Sequence, residues 1–453
     1  MFFDGENHFS KPRACTKSLS LHSALALSLC MKNIALFLTL TATIHAAGAP
    51  SASVSTPPPA LTGQWSKQQV TESFWAEGAC VADVNKDGKN DILSGPFWYQ
   101  GPDFKKAHEI YKMEKAFDRK KEDGTVEKVP GFKGSLGGVN EYSNNFVSYA
   151  YDFNGDGWMD YLVVGFPGAE TFWWENPQGK DELWQRHTVV KVTDNESPMF
   201  VDVNGDKIPD LLCMSGGTIG YATMDPKNPN EVWKWNAVSG KDGRFQKYTH
   251  GIGAGDVNGD GRVDILEAGA WWEQPANWDG VAPWTKHDAQ FGSGGAQMYT
   301  YDVNGDGKAD IITALAAHGL GLAWFEQTND GLAQGWSKHL ITGTKPGEGE
   351  TGVIFSQPHA IDLVDMNGDG IKDIVTGKRF WAHGPGGDPD PNAWPVLYWF
   401  ELKRTAGKAS YTAHIIDDNS GVGTQVMATD VNGDGKPDIV AANKRGVFVH
   451  TRK

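Results

Sequence analysis

The sequence predicts an all-β fold, a seven-bladed β-propeller with four-stranded blades. Three observations carry the prediction. A nine-residue pattern, D-x-N-x-D-G-x-x-D, recurs seven times at a mean spacing of about 58 residues. Apolar runs precede the copies and β-branched runs follow them, so each copy reads as a turn joining two strands. The seventh repeat ends after its third strand, while Gln64-Trp65-Ser66-Lys67-Gln68 ahead of the first repeat matches Gly335-Trp336-Ser337-Lys338-His339. The N-terminal strand therefore closes the last blade, which hides the edge strands of the ring.

In chain order, residues 1–30 carry Cys15 and Cys30 and read as an upstream extension outside the native chain. From Met31 the pattern is that of a secretory signal, residues 31–49. Lys32 gives the positive start, Ile34–Ile44 the apolar core, and Ala46-Ala47 or Ala47-Gly48-Ala49 the small-residue cleavage site. A longer or anchored leader is the alternative, although the apolar core is short for a membrane span. Residues 50–61 form a Pro/Ser linker and residues 62–453 the propeller. The mature chain is thus expected to be secreted or periplasmic, with no membrane span.

Each nonapeptide is a candidate calcium loop. Ca²⁺ takes six to eight oxygen ligands, and oxygen side chains at positions 1, 3, 5 and 9 can wrap it, with Gly at position 6 for the sharp turn. The ligand sets are Asp83, Asn85, Asp87 and Asp91, then Asp152, Asn154, Asp156 and Asp160, then Asp202, Asn204, Asp206 and Asp210. The next two are Asp256, Asn258, Asp260 and Asp264, and Asp302, Asn304, Asp306 and Asp310. The last two are Asp365, Asn367, Asp369 and Asp373, and Asp430, Asn432, Asp434 and Asp438. One copy alone reads equally as an Asx-rich turn; seven in register point to a cation.

Third strands carry an aromatic pair followed by an acid or amide, as in Trp173-Trp174-Glu175 and Trp399-Phe400-Glu401. Fourth strands carry an aromatic three residues before His or Asn: Trp184/His187, Trp233/Asn236, Trp284/His287, Trp336/His339 and Tyr411/His414. The formal charge of −15 is offset in the metal-loaded protein, because three Asp in each loop make 21 and seven Ca²⁺ would add 14 positive charges. An acidic chain without a basic run argues against nucleic acid. Cys80 and Cys213 lie on inner strands of different blades and read as small buried residues rather than a disulfide.

A polar residue that does not recur from blade to blade needs a reason of its own. His250 and His359 share one offset, six residues before the first Asp of their loops, where other blades place Glu77, Phe146, Glu196, Ala296 and Thr424. Six strand residues span roughly 20 Å, so this offset lies at the channel mouth opposite the loops. The connections after the second strands return to the same face with His318, Lys378, Arg379, His383, Lys444 and Arg445, and the insertion 112–145 brings Tyr142. Imidazole and phenol groups move protons, and cations hold a carboxylate or a developing enolate, a set suited to β-elimination beside a carbonyl. Each member also has a plain reading: a strand-end cap for His250 and His359, solvation for Lys378, Arg379, Lys444 and Arg445, and loop ordering for His383. No nucleophile elbow, Walker loop or HExxH zinc motif is present.

The D-x-N-x-D-G-x-x-D loops between apolar strands resemble FG-GAP/VCBS repeats, the blades of the integrin α-subunit propeller. The resemblance implies Ca²⁺ between the first two strands of each blade. Lys207 stands where the third loop should have Gly, which puts that site in doubt, and Lys86 replaces a small residue in the first. The WWENP-type strands and the segment TGKRFWAHGPGGDP from Thr376 resemble the propeller part of aldos-2-ulose dehydratases. That implies elimination of water from keto- or anhydro-sugars. Two functions follow. One is a secreted carbohydrate lyase or dehydratase acting at the channel mouth on a carbohydrate or small-molecule substrate. The other is an integrin-like recognition module binding protein or glycan.

Overall fold

The computed structural model describes residues 53–328 and 335–453. The upstream extension and signal peptide expected over 1–49 lie outside the described residues. Strands and turns make up everything described, and no helix there is long and apolar enough to cross a membrane. The chain is all-β in a β-propeller arrangement: five four-stranded sheets, one eight-stranded sheet and one two-stranded hairpin.

The nonapeptides set the register of every sheet. Position 9 is the first residue of the second strand in each case, as in Asp160–Val164, Asp310–Ala314 and Asp373–Gly377. Its carboxylate is fully buried and clamps two segments. Asp310 Oδ2 accepts from Val303 N at 2.9 Å and Oδ1 from Gln327 N, the last residue of the third strand, at 2.9 Å. Asp160 does the same with Phe153 N and Asn176 N, and Asp373 with Met366 N and Leu402 N. Because this carboxylate is buried beside two other Asp, a side chain lacking charge-matched donors would be costly there.

Trp65–Thr71 pairs antiparallel with Gly446–Arg452, Trp65 opposite Arg452, so the two ends of the propeller share one sheet. The eight-stranded sheet departs from separate four-stranded blades. Inner strands Ile252–Gly255 and Gln297–Tyr301 pair in parallel. The cause is the absence of side chains at Gly253 and Gly255: a Cβ there would stand 2.1 Å from Met298 O and 1.8 Å from Thr300 Oγ1.

The recurring aromatics and histidines are structural. Trp173, Trp271, Trp324 and Trp399 stack on the cross-strand His187, His287, His339 and His414 at centroid distances of 4.4, 4.0, 4.2 and 4.3 Å. Each His then bonds the strand's Glu, as in His187–Glu175 at 2.8 Å and His339–Glu326 at 2.9 Å. In three sheets the same Glu reaches the Asn at loop position 3: Asn154–Glu175, Asn304–Glu326 and Asn367–Glu401. A continuous Trp–His–Glu–Asn chain thus ties the outer strand to the loop. Cys80 and Cys213 are buried free thiols, as expected.

One expectation about the backbone needs revision. Position 6 does not exclude a side chain: Lys207 takes it at φ +73° and donates its N–H to Asp202 Oδ2 at 2.8 Å, as the glycines do elsewhere. A non-Gly residue in that region costs about 1–2 kcal/mol, which the clamp absorbs. Lys86, at φ +58°, turns its ammonium onto Trp158, 4.3 Å from the ring centroid. The linker end is held rather than free, since Val54 N, Ser55 N and Ser55 Oγ all donate to Asp390 Oδ2 at 2.8 Å.

Candidate active site

The offset six residues before the loops supplies the centre of the site from four sheets: Glu77, Glu196, His250 and His359. Each precedes its inner strand, so all four sit at the end away from the nonapeptide. His250 Nε2 lies 3.1 Å from His359 Nε2 and 3.2 Å from His318 Nε2. Glu196 Oε2 lies 3.4 Å from His250 Nε2 and 3.2 Å from His359 Nε2. One ligand atom from each of Glu196, His250, His318 and His359 falls within 4.8 Å of all the others.

Arg379 closes the cluster from behind. It is buried, pairs with Glu77 through Nε at 2.7 Å, and places Nη1 3.2 Å from Glu196 Oε2. Burial opposes ionisation of Glu196, yet hydrogen bonds from His250 and His359 and the Arg379 charge hold its carboxyl well below the usual range. Burial and the Arg379 charge push His359 down to about 3, and burial with the neighbouring imidazoles pushes His318 lower still. Both rings are therefore neutral at ordinary pH. The His359 Nδ1 is buried without a hydrogen-bond partner.

The remaining sequence candidates divide. His383 joins the cluster, its ring 4.3 Å from that of His318; its Nδ1 bonds Asp388 Oδ1 at 2.8 Å and its side chain is 48% exposed. Tyr142 lies at the edge, half-buried, with Lys444 Nζ 4.4 Å above its ring. Lys444 is buried rather than solvated, bonded to Asn140 Oδ1 and to the carbonyls of Trp381 and Ala382; burial lowers it to about 8. Lys378 is also buried rather than solvated. It bonds Ser356 Oγ at 2.6 Å instead of joining the cluster, and burial lowers it to about 7. Arg445 stands apart, on Asn419 Oδ1 at 2.8 Å and over the Phe380 ring.

Glu196 and Asp388 complete the site and were not among the sequence candidates. Glu196 had a signal, because it shares the offset of His250 and His359. Asp388 had only its place in the insertion 382–396, from which no spacing argument identifies a partner.

At the opposite ends of the inner strands the loops fit a hard cation. In the fifth loop, Asp302 accepts from the backbone of Gly305, Asp306 and Gly307, and Asn304 from Asp306. These bonds gather the side chains of positions 1, 3 and 5. Burial first, then the charges of neighbouring loop carboxylates, raises Asp91 to about 6 and Asp160 and Asp373 to about 7. A dication among them would relieve that repulsion.

Comparison with known proteins bears on the repeats. The FG-GAP-like repeat family matches residues 152–213 and 302–376, and the FG-GAP repeat family matches residues 422–450. With the sheet arrangement, these matches support an FG-GAP β-propeller. A T-cell immunomodulatory protein homolog of Plasmodium falciparum (isolate 3D7) is 25% identical over 214 residues, 41% of this chain and 28% of that protein's length. Among solved structures, an Agrocybe aegerita lectin that recognises non-reducing terminal N-acetylglucosamine is similar at TM-score 0.40, with 17% identity over 70% of this chain and 79% of that one. The exotype rhamnogalacturonan lyase YesX is similar at TM-score 0.38, with 14% identity over 88% of this chain and 75% of that one. Likenesses of this strength say nothing about the chemistry of this chain.

Proposed function

We propose that the protein is a secreted, calcium-stabilised, seven-bladed propeller that acts on carbohydrate by β-elimination, as a lyase or dehydratase, at the channel mouth opposite the loops. The blade count reads the eight-stranded sheet as two blades joined by the pairing of their inner strands. The observation that carries the function is the convergence of Glu196, His250, His318 and His359 on one point.

Three imidazole nitrogens and a carboxylate oxygen suit a transition-metal dication such as Zn²⁺. Tetrahedral ligands with bonds of about 2.0–2.1 Å stand about 3.3–3.4 Å apart; four of the six pairs lie at 3.1, 3.2, 3.2 and 3.4 Å, and the other two, His318 with His359 and with Glu196, lie within 4.8 Å. Hydrogen bonding alone leaves this cluster ill-satisfied, because each neutral imidazole has one donor and one acceptor while three Nε2 atoms face one another. Bound there, such an ion supplies Lewis-acid polarisation of a substrate carbonyl or carboxylate oxygen.

The chain's own residues divide the remaining work. Arg379 is buried and acts through Glu196, fixing its carboxylate. The accessible groups are the edges of His250 and His318, with His383 and Tyr142. With Nδ1 bonded to Asp388, His383 keeps Nε2 as the acceptor of the proton next to a substrate carbonyl or carboxylate. The electron pair of that C–H bond forms the C=C bond, and the β-oxygen leaves, taking a proton from Tyr142 or water. No oxidant or reductant is required.

The test is incubation of residues 53–453, with Ca²⁺ and Zn²⁺, against keto-sugars, anhydro-sugars and uronic-acid polysaccharides. A rising ultraviolet absorbance from a conjugated double bond is the expected result. Silence across the panel from a cooperatively folded protein contradicts it.

A further inference from the structure

Two residues with bulky aromatic side chains at the mouth have strained backbone. Tyr248 has φ +68° and Trp381 φ +57°, a region that bulky side chains rarely adopt. Each stands two residues ahead of a site histidine, Tyr248 before His250 and Trp381 before His383. Such strain persists only where surrounding structure imposes it, and it collects at ligand sites. Here the constraints are visible. Tyr248 N donates to Asp194 O at 3.0 Å, and Trp381 donates Nε1 to Asn392 Oδ1 at 2.9 Å while its carbonyl accepts from Lys444.

The strain holds aromatic rings toward the open side. Tyr248 is 51% exposed. Its ring meets Phe166 edge-on at 5.9 Å, and Phe166 meets Tyr142 at 5.5 Å. Trp381 stacks on Phe380 at 4.6 Å, and the Arg445 guanidinium packs on Phe380 in turn. Lys444 joins the two groups, its ammonium over Tyr142 and bonded to the Trp381 carbonyl. Amides and imidazole interleave with the rings, since Asn140 bonds Tyr142 Oη, Asn392 bonds Trp381, and His383 stands beside them.

We infer that Tyr248, Tyr142 and Trp381 form a saccharide platform that seats pyranose rings of an oligosaccharide over the Glu196–His250–His318–His359 cluster. A pyranose has an apolar C–H face for an aromatic ring and a hydroxyl edge for amides and imidazole. That combination matches this rim better than it matches an apolar protein surface. The inference deepens the proposed function and rests on it for its place in catalysis, but not for binding.

Titration calorimetry of the calcium-loaded protein with a tetragalacturonate and with cellotetraose tests it. Wild-type protein binds at least one of them, and Tyr248→Ala and Trp381→Ala each weaken that binding about 10-fold. Tyr248→Phe, which keeps the ring, restores it. Absence of binding to both saccharides overturns the platform, as does binding unchanged in both alanine variants. Binding that depends on these rings without any elimination product leaves the platform standing and removes the elimination reading. Elimination with KM unchanged in both variants does the reverse.

Discussion

His250 and His359, 109 residues apart in the chain, bring their Nε2 atoms to 3.1 Å, with Glu196 Oε2 3.4 and 3.2 Å from them. Two imidazoles satisfy such a contact only if one of the two facing nitrogens carries a proton, whereas a cation accepts both lone pairs.

The first prediction concerns that cation. Protein stripped of metal, saturated with Ca²⁺ and then exposed to Zn²⁺ retains one zinc per chain, and Co²⁺ in its place gives the intense visible absorption of a tetrahedral site. His318→Ala, at a partly exposed position, weakens Zn²⁺ binding by at least about 10-fold. Zinc retained equally by wild type and variant contradicts the assignment.

A calcium-selective chelator is expected to lower the melting temperature by removing ions that offset the loop carboxylates. Each site held at 100 times its dissociation constant contributes about 2.7 kcal/mol. Lys207→Gly relieves about 1–2 kcal/mol of backbone strain in the third loop and raises the melting temperature. A melt indifferent to the chelator contradicts the loop reading.

The position 9 carboxylate is predicted to act as a structural clamp apart from any ion. Asp310→Ala removes two charge-assisted hydrogen bonds and leaves Val303 N and Gln327 N unpaired, costing on the order of 3–5 kcal/mol. Urea unfolding of wild type and variant, both stripped of calcium, measures this. A loss below about 1 kcal/mol would show that the clamp is dispensable.

Lys378 gives a pH signature. Burial lowers its ammonium from 10.5 to about 7. Between those values the folded state holds fewer protons than the unfolded state, so the Lys378 contribution to stability rises with pH across that window. The full gain is of order 4 kcal/mol. Lys378→Met is therefore more stable than wild type at pH 7, and its advantage shrinks towards pH 10. An advantage independent of pH contradicts the assignment of that charge.

Much of this was legible in the sequence because repeats expose what departs from them. The match of Gln64–Gln68 to Gly335–His339 located the strand that pairs with Gly446–Arg452. The shared offset of His250 and His359 located the site centre, and also held Glu77 and Glu196. What escaped depends on distances that no spacing encodes. Lys378 and Arg445 follow the right strands but turn to Ser356 and Asn419. The merging of two sheets required knowing that Gly253 and Gly255 face Met298 and Thr300. The bonds from Val54 and Ser55 to Asp390 join segments more than 300 residues apart.

Comparing wild type with His359→Ala on whichever substrate gives a conjugated product, at equal calcium loading and with melting curves recorded for both, tests the proposed elimination at the imidazole cluster. The expected result is a loss in kcat of about 10³-fold or more from a variant that still melts cooperatively. A folded His359→Ala protein with wild-type kcat would contradict it and move the chemistry away from this mouth.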